Sequence, residues 1–163
     1  EAGKLELQRE PVDLVEVVRN AIALSDAYCR KCGCQIRLSQ EHAGPVPAVM
    51  ADAQRILQVL INLISNAAKF SRQDDMLEIS VANVDHSVRV GVTDHGKGIP
   101  PEQLGNLFKK FKQIGGGNAK LPGTGLGLSI CKQIMELHQG RIWCESIPEQ
   151  RTTFYFSMPL SAS

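Results

Sequence analysis

The segment from Ala53 to Phe70 constrains the fold more than any other part of the chain, because two stripes run through it at helical spacing. Ile56, Leu60, Leu63, Ile64 and Ala67 fall on one face of an α-helix, while Gln58, Asn62, Asn66 and Lys69 follow one another at i, i+4, i+8 and i+11 along another. Such a helix buries its first stripe in a core and leaves the second at the edge of that core. Asp52 stands where its side chain can accept from the unpaired amides of the first turn, so the helix is expected to start at Ala53.

The remaining patterns give this helix something to pack against. A second helix is expected from Pro11 to Cys32, with Leu14, Val17, Val18, Ala21, Ile22 and Leu24 at helical spacing, Pro11 near its start and Gly33 at its end. Gln35 to Ser39 reads as a short strand, Gly44 to Pro47 as a turn and Ala48 to Met50 as a brief extended piece. Leu77-Ile79-Val81 and Val88-Val90-Val92 alternate around Asp85-His86 and form a β-hairpin whose second strand runs into Asp94. Gly105 to Leu121, with Gly115-Gly116-Gly117-Asn118, reads as a mobile loop. A third helix follows from the Gly123 to Gly127 region, with Leu126, Ile130, Ile134 and Leu137 as its apolar stripe and Gly140 as its stop. Arg141 to Glu145 and Thr153 to Met158 supply two closing strands, and no internal repeat or domain boundary interrupts the run.

A chain of 163 residues, 43% hydrophobic, suffices for one core. Its net charge of +1, with acids and bases interspersed, does not point to nucleic acid or a membrane surface, so an anionic ligand must be recognised locally. No apolar run approaches the ~20 residues a membrane span needs, and the expected location is the cytosol. Cys29, Cys32 and Cys34 form a C-x-x-C-x-C cluster, but the second ligand pair of a zinc site is missing, and these thiols together with Cys131 and Cys144 are expected to be buried or half-buried.

Three features carry nucleotide-binding chemistry, and their value lies in their joint occurrence. Asn62, Asn66 and Lys69 offer carboxamide oxygens for a hard cation and an ammonium for phosphate. In Asp94-His95-Gly96-Lys97-Gly98-Ile99 a carboxylate ends a strand, where it can accept from an exocyclic amine such as that of adenine; by itself this is also an ordinary capped turn. Gly123-Thr124-Gly125-Leu126-Gly127-Leu128 opens a helix, where backbone N–H groups can meet phosphate. It is not the dinucleotide fingerprint, since Leu128 stands where the last glycine is required and no strand leads into it. Gly91 to Lys97 fits the first seven positions of a P-loop, but Gly98 replaces the metal-holding hydroxyl and Pro100-Pro101 prevents the helix that should begin inside the motif.

Together these segments resemble the sensor histidine kinases, within the wider group of ATPases that includes gyrase, HSP90-type chaperones and MutL. Asn62 to Phe70 is similar to the family's N box, Asp94 to Ile99 to its G1 box, Phe108 to Phe111 to its F box and Gly123 to Leu128 to its G2 box, in the family's order. The resemblance implies a two-layer α/β sandwich of the Bergerat type, with a mixed, mostly antiparallel sheet and helices on one face, holding ATP between the N-box helix and a lid. It implies that Asn66 coordinates Mg²⁺, Asn62 orients a water or metal-bound group, and Lys69 contacts phosphate. Asp94 would read the adenine amine, and Gly96, Gly98 and Ile99 would let the backbone approach the base. Phe108, Gly123, Thr124, Gly125, Leu126, Gly127 and Leu128 would line the lid and phosphate side, and Thr152 or Thr153 the adenine pocket. Lys109 departs from the family's usual acidic residue in the F box, as Glu149-Gln150-Arg151 departs from its glycine-rich turn.

The implied activity is transfer of the ATP γ-phosphoryl group to a histidine on a separate helical hairpin, for relay to the receiver domain of a response regulator. None of His42, His86, His95 or His138 has the acceptor context, so each is expected to be structural or solvated. Residues 1–10 are expected to be the remnant of the linker from that hairpin and 11–163 the catalytic domain, monomeric by itself, making no membrane contact, in a parent kinase that can be membrane-anchored. Two other readings stand beside this one: a nucleotide-binding regulatory module of a degenerate kinase, and a gyrase- or chaperone-type ATPase. The latter usually has a glutamate base where this chain has Asn62.

Overall fold

The computed structural model describes residues 6–39, 45–109 and 127–160. In chain order its elements are β1 (Glu10–Val12), α1 (Leu14–Lys31), β2 (Cys34–Leu38), β3 (Val49–Ala51), α2 (Ala53–Phe70), β4 (Asp75–Val84), β5 (Ser87–Asp94), α3 (Pro101–Leu104), α4 (Gly127–Leu137), β6 (Arg141–Ile147) and β7 (Arg151–Pro159). α2 has the expected limits. Asp52 caps it, its Oδ1 accepting the Arg55 N–H at 3.3 Å, and Ile56, Val59, Leu60, Leu63, Ile64, Ala67 and Ala68 are buried.

α1 starts three residues later than its proline suggests. Pro11 lies in β1, and Asp13 caps the helix by accepting the Val15 N–H at 3.0 Å. Leu24 is 64% exposed and off the buried face formed by Leu14, Val17, Val18, Ala21 and Cys29. Past the C-cap Cys32, Gly33 takes φ +85°, the left-handed conformation that turns the chain into β2.

Five strands form one sheet in the order β2-β4-β5-β7-β6, in which only β2 and β4 run parallel; β1 and β3 make a separate antiparallel pair. The hairpin between β4 and β5 turns on Asp85 and His86, both at positive φ, as a two-residue turn between right-twisted strands requires. Leu77, Ile79 and Val81 on β4, Val88, Val90 and Val92 on β5, and Phe154, Phe156 and Met158 on β7 are buried beneath the helix layer of α1, α2 and α4. Each large side chain so buried contributes about 1.5–3 kcal/mol relative to exposure.

Among the described residues no helix covers the opposite face, which is clad by its own side chains. The Tyr155 ring lies over Gly91, where a Cβ would come within 2.9 Å of it, and Trp143 stacks on Tyr155 with centroids 5.2 Å apart. Arg89 caps the Tyr155 ring at 5.2 Å and Arg141 the Trp143 ring at 5.4 Å.

α4 runs to Leu137 as expected, but its buried face differs. Leu128, Cys131, Ile134 and Met135 face the core while Leu137 is largely exposed. The helix end is fastened by His138, which is buried. The Asp52 N–H donates to its Nε2 at 3.0 Å, so the proton sits on Nδ1, which donates to the Ile134 carbonyl at 2.9 Å. Asp52 Oδ2 accepts the Gln8 N–H at 3.0 Å and Arg9 donates to the Leu137 carbonyl at 2.6 Å, so the folded unit takes in Gln8 and Arg9.

α3 is a short helix not expected from the sequence, with Pro101 in its first turn. The loop expected from Gly105 to Leu121 lies outside the described residues from position 110 onward. Within its first part the Asn106 and Lys109 amides donate to the carbonyls of Gln103 and Asn106, and Leu107 is buried. All five cysteines lack disulfides and are buried, except half-buried Cys144; among the described residues no group of His, Cys, Asp and Glu side chains is placed to hold a metal. Among these residues no helix is long and apolar enough to cross a membrane.

Candidate functional site

β5 ends in a buried carboxylate. Asp94 is 2% exposed and shares the helix-facing side of the sheet with Val90 and Val92. Its Oδ1 accepts the Gly96 N–H at 2.8 Å, closing a turn on the aspartate side chain. Across the ladder its partner is Thr152, whose Oγ1 lies 2.8 Å from Ser146 Oγ, and Ser146 Oγ accepts the Ile99 N–H at 2.8 Å. One end of the sheet thus gathers a carboxylate, two hydroxyls and the backbone of Ile99. Thr153, by contrast, sits on the clad face, paired with Thr93 at 2.8 Å between Oγ1 atoms.

The glycines of this turn are fixed by close approach. A Cβ on Gly96 would lie 1.9 Å from the Phe70 carbonyl oxygen, so the turn rests directly on the last residue of α2. Gly98 takes φ +84° and a Cβ there would lie 3.0 Å from Pro148 Cα. Lys97 O accepts the Glu149 N–H at 2.7 Å, and Glu149 itself takes φ +64° in the turn from β6 to β7, serving without glycine where the family's turn is glycine-rich. Between the flanking residues, His95 is held by Asp75: the His95 N–H donates to Asp75 Oδ2 and Nδ1 to Oδ1, each at 2.8 Å.

The polar stripe of α2 leads from this turn toward α4. The Asn66 Nδ2 donates to the Asn62 carbonyl at 2.9 Å, which leaves Oδ1 as the acceptor the side chain presents; Ser65 Oγ donates to the same carbonyl at 3.0 Å. Asn62 lies under the first residue of α4, where a Cβ on Gly127 would come 3.3 Å from its Oδ1. Cys131, on the same helix, is pushed up to about 12 by burial, opposed in part by its contact with Asn62. Cys144, on β6 opposite Phe154 and on the same face of the sheet as Asp94, is also pushed up to about 12, first by burial and then by the Asp94 charge. Lys69 is half-buried near the end of α2, Leu128 is buried, and Phe108 is half-buried against the core.

A profile of the family described as histidine kinase-, DNA gyrase B- and HSP90-like ATPase matches residues 51–162. The chain belongs to this ATPase family. Within it the similarity is to histidine kinases. The adaptive-response sensory kinase SasA of Prochlorococcus marinus is 37% identical over 126 residues, covering 77% of this chain and 33% of SasA. Full-length ShkA in complex with AMPPNP superposes with a TM-score of 0.84 at 27% identity, over 99% of this chain and 33% of ShkA. Histidine kinase ThkA in complex with the response regulator protein TrrA superposes with a TM-score of 0.77 at 31% identity, over 95% of this chain and 42% of ThkA. The chain spans about a third of the length of SasA, one of the curated relatives it matches. The expected two-layer α/β fold with a mixed sheet is the fold shared with these histidine kinase structures.

Of the site residues that the family resemblance singles out, the fold brings Asp94, Gly96, Gly98, Ile99 and Thr152 together at the end of the sheet and sets Asn62, Asn66 and Lys69 along the adjoining helix. Phe111, Gly123, Thr124, Gly125 and Leu126 lie outside the described residues. Ser146, Asp75 and His95 enter the site without having been singled out as site residues. Ser146 alternates with Ile142 and Cys144 on the helix-facing side of β6, a signal visible only once the strand is known to run past Glu145. Asp75 is separated from His95 by the whole hairpin, and no local pattern links them.

Proposed function

We propose that this chain is the ATP·Mg²⁺-binding catalytic domain of a two-component sensor histidine kinase, transferring the γ-phosphoryl group of ATP to a histidine on a separate helical hairpin. The observation that carries the proposal is the seating of the Asp94 turn on Phe70. It joins a sheet end bearing a buried carboxylate, Thr152 and Ser146 to a helix bearing Asn62, Asn66 and Lys69. An adenine set against Gly96 and Gly98 would place its exocyclic amine at the Asp94 carboxylate, with the Thr152 and Ser146 hydroxyls beside it. The triphosphate would then run along α2 toward the first turn of α4, where helix N–H groups favour negative charge.

The donor set suits a hard cation, because the Asn66 amide is turned with its nitrogen onto the helix and its oxygen outward. Mg²⁺ bound there would neutralise charge on the phosphate oxygens. Lys69 would contact phosphate, and Asn62, on α2 facing the first residue of α4, would orient a water or a metal-bound group. Asn62 carries no carboxylate, so it cannot take a proton from water as a glutamate would; this favours transfer to a histidine over hydrolysis. The acceptor nitrogen would come from the hairpin, and the phosphohistidine would be read by a receiver domain. ThkA, seen with its response regulator, is a relative of matching architecture. We assign residues before Gln8 to the linker and the rest to the catalytic domain, in the cytoplasm.

Calorimetric titration with a non-hydrolysable ATP analogue, with and without Mg²⁺, tests the site. Asp94→Asn should abolish binding and Asn66→Asp should change its Mg²⁺ dependence. A wild-type domain that binds no adenine nucleotide at millimolar concentration defeats the proposal. Phosphotransfer is tested by adding a histidine-bearing hairpin from a related kinase and following radiolabel from γ-labelled ATP.

A further inference from the structure

We propose that Asp75 is a positioning residue of the nucleotide site, holding through His95 the turn that carries Asp94; the proposal rests on the nucleotide reading of that turn. Asp75 opens β4 with its side chain 3% exposed, and its two oxygens meet two donors of one residue, the backbone N–H and the ring Nδ1 of His95, at 2.8 Å each. The carboxylate can only accept, so Nδ1 carries a proton. A carboxylate this buried is costly unless fully hydrogen-bonded, and a β-strand start has no need of one. What the arrangement does fix is the residue between Asp94 and Gly96.

The turn is thereby restrained from three directions. Asp94 Oδ1 takes the Gly96 N–H, the Phe70 carbonyl lies against Gly96, and Asp75 grips His95 by backbone and ring. The first two set where the turn sits; the third sets the rotation of the peptides on either side of His95, hence the direction of the Asp94 carboxylate. Asp75 touches no part of the proposed ligand position itself. It acts on base recognition through His95, and the step it serves is adenine binding.

The test separates positioning from folding by how adenine and guanine nucleotides are distinguished. Affinities for ADP and GDP are measured by titration on the wild-type chain and on Asp75→Asn, His95→Ala and His95→Asn, with melting temperatures in parallel. Asparagine places an amide N–H close to where the histidine Nδ1–H lies, so His95→Asn should bind ADP like wild type. His95→Ala keeps the backbone bond and should lose about threefold, and Asp75→Asn, unable to accept both donors, about tenfold or more, with the ADP-to-GDP preference shrinking in the same order. Wild-type ADP affinity and preference in Asp75→Asn overturn the positioning role, as does a failure of His95→Asn to exceed His95→Ala. If Asp75→Asn does not fold, the two His95 variants decide. A wild-type chain that binds no adenine nucleotide overturns the functional reading itself and the positioning role with it, a result distinct from wild-type binding that is indifferent to Asp75.

Discussion

Replacing Gly96 with alanine probes the contact on which the site is built. The backbone at Gly96 does not take positive φ, so alanine is unstrained there and only the space matters. Its Cβ would lie 1.9 Å from the Phe70 carbonyl oxygen, and reaching even a 3.0 Å contact requires a shift of about 1.1 Å between the turn and the end of α2. The oxygen belongs to the backbone, so no side chain can swing aside. Overpacking of this kind costs about 1–3 kcal/mol, which in a domain of this size lowers the melting temperature by roughly 2–4 °C per kcal/mol. The same displacement separates Asp94 from the α2 stripe, and a misplacement near 1 Å costs on the order of a hundredfold in a geometry-dependent function. Gly105→Ala is the control, since nothing lies within 4 Å of its added Cβ and its φ is −70°. It should stabilise by about 0.4–1 kcal/mol through the unfolded chain and leave affinity unchanged. Thermal melts and ADP titrations on both variants make the comparison. A Gly96→Ala protein that melts and binds like wild type would refute the seating of the turn on Phe70.

Asp52→Ala should lower stability by about 1–2 kcal/mol in urea melts, because the N-cap of α2 and the acceptor for Gln8 are lost together; Asp52→Asn should lose less. Partial burial alone would raise the Asp52 carboxyl, but the amides of Gln8, Arg55 and Gln54 and the Arg55 charge hold it below its ordinary value. The stability it contributes is therefore present above the unfolded pKa and lost as pH falls through the folded one, and Asp52→Ala should flatten the acid side of the stability curve. Thr152→Val should weaken ADP binding severalfold, whereas Thr153→Val, on the clad face, should leave affinity unchanged and cost about 1 kcal/mol of stability; equal effects on affinity would contradict the placement. Iodoacetamide at pH 8 should spare native Cys131, pushed up to about 12 by burial, and Cys29, raised by its contact with Cys34 and by burial, while unfolded chain labels at all five thiols. Native carboxymethylation of Cys131 at the unfolded rate would contradict its burial.

What could be seen in the sequence was whatever repeats locally. The two stripes of α2 and its Asp52 cap set where that helix starts and about where it ends, and the alternation around Asp85-His86 sets the central hairpin apart from its ends. α4 shows where local pattern fails: Ile130, Ile134 and Leu137 are spaced correctly, yet the face that meets α2 runs through Leu128, Cys131, Ile134 and Met135, because the packing partner and not hydrophobicity alone selects the buried side. Pro11 misplaces the start of α1 because a proline suits a strand edge as well as a helix start, and Asp13 makes the better cap. Asp94, Gly96 and Gly98 announce themselves by composition. Ser146 and Asp75 do not, since their partners lie across a sheet and a hairpin, and nothing near them in the chain anticipates a bond 47 or 20 residues away.

The fastening around His138 gives the fold a line of leverage. The chain that precedes β1 is attached to helix ends: Gln8 grips the Asp52 side chain, Arg9 grips the last carbonyl of α4, and the imidazole of His138 bridges the two helices as a strut bonded at both ends. β1 pairs only with β3 and stands apart from the five-stranded sheet. A pull or twist delivered through Gln8 and Arg9 is therefore received by α2 and α4, the helices whose facing residues Asn62 and Gly127 nearly touch, before it reaches the sheet that holds Asp94. Movement at this corner would change the spacing of the two helices, and through Phe70 it would bear on the turn that carries Asp94.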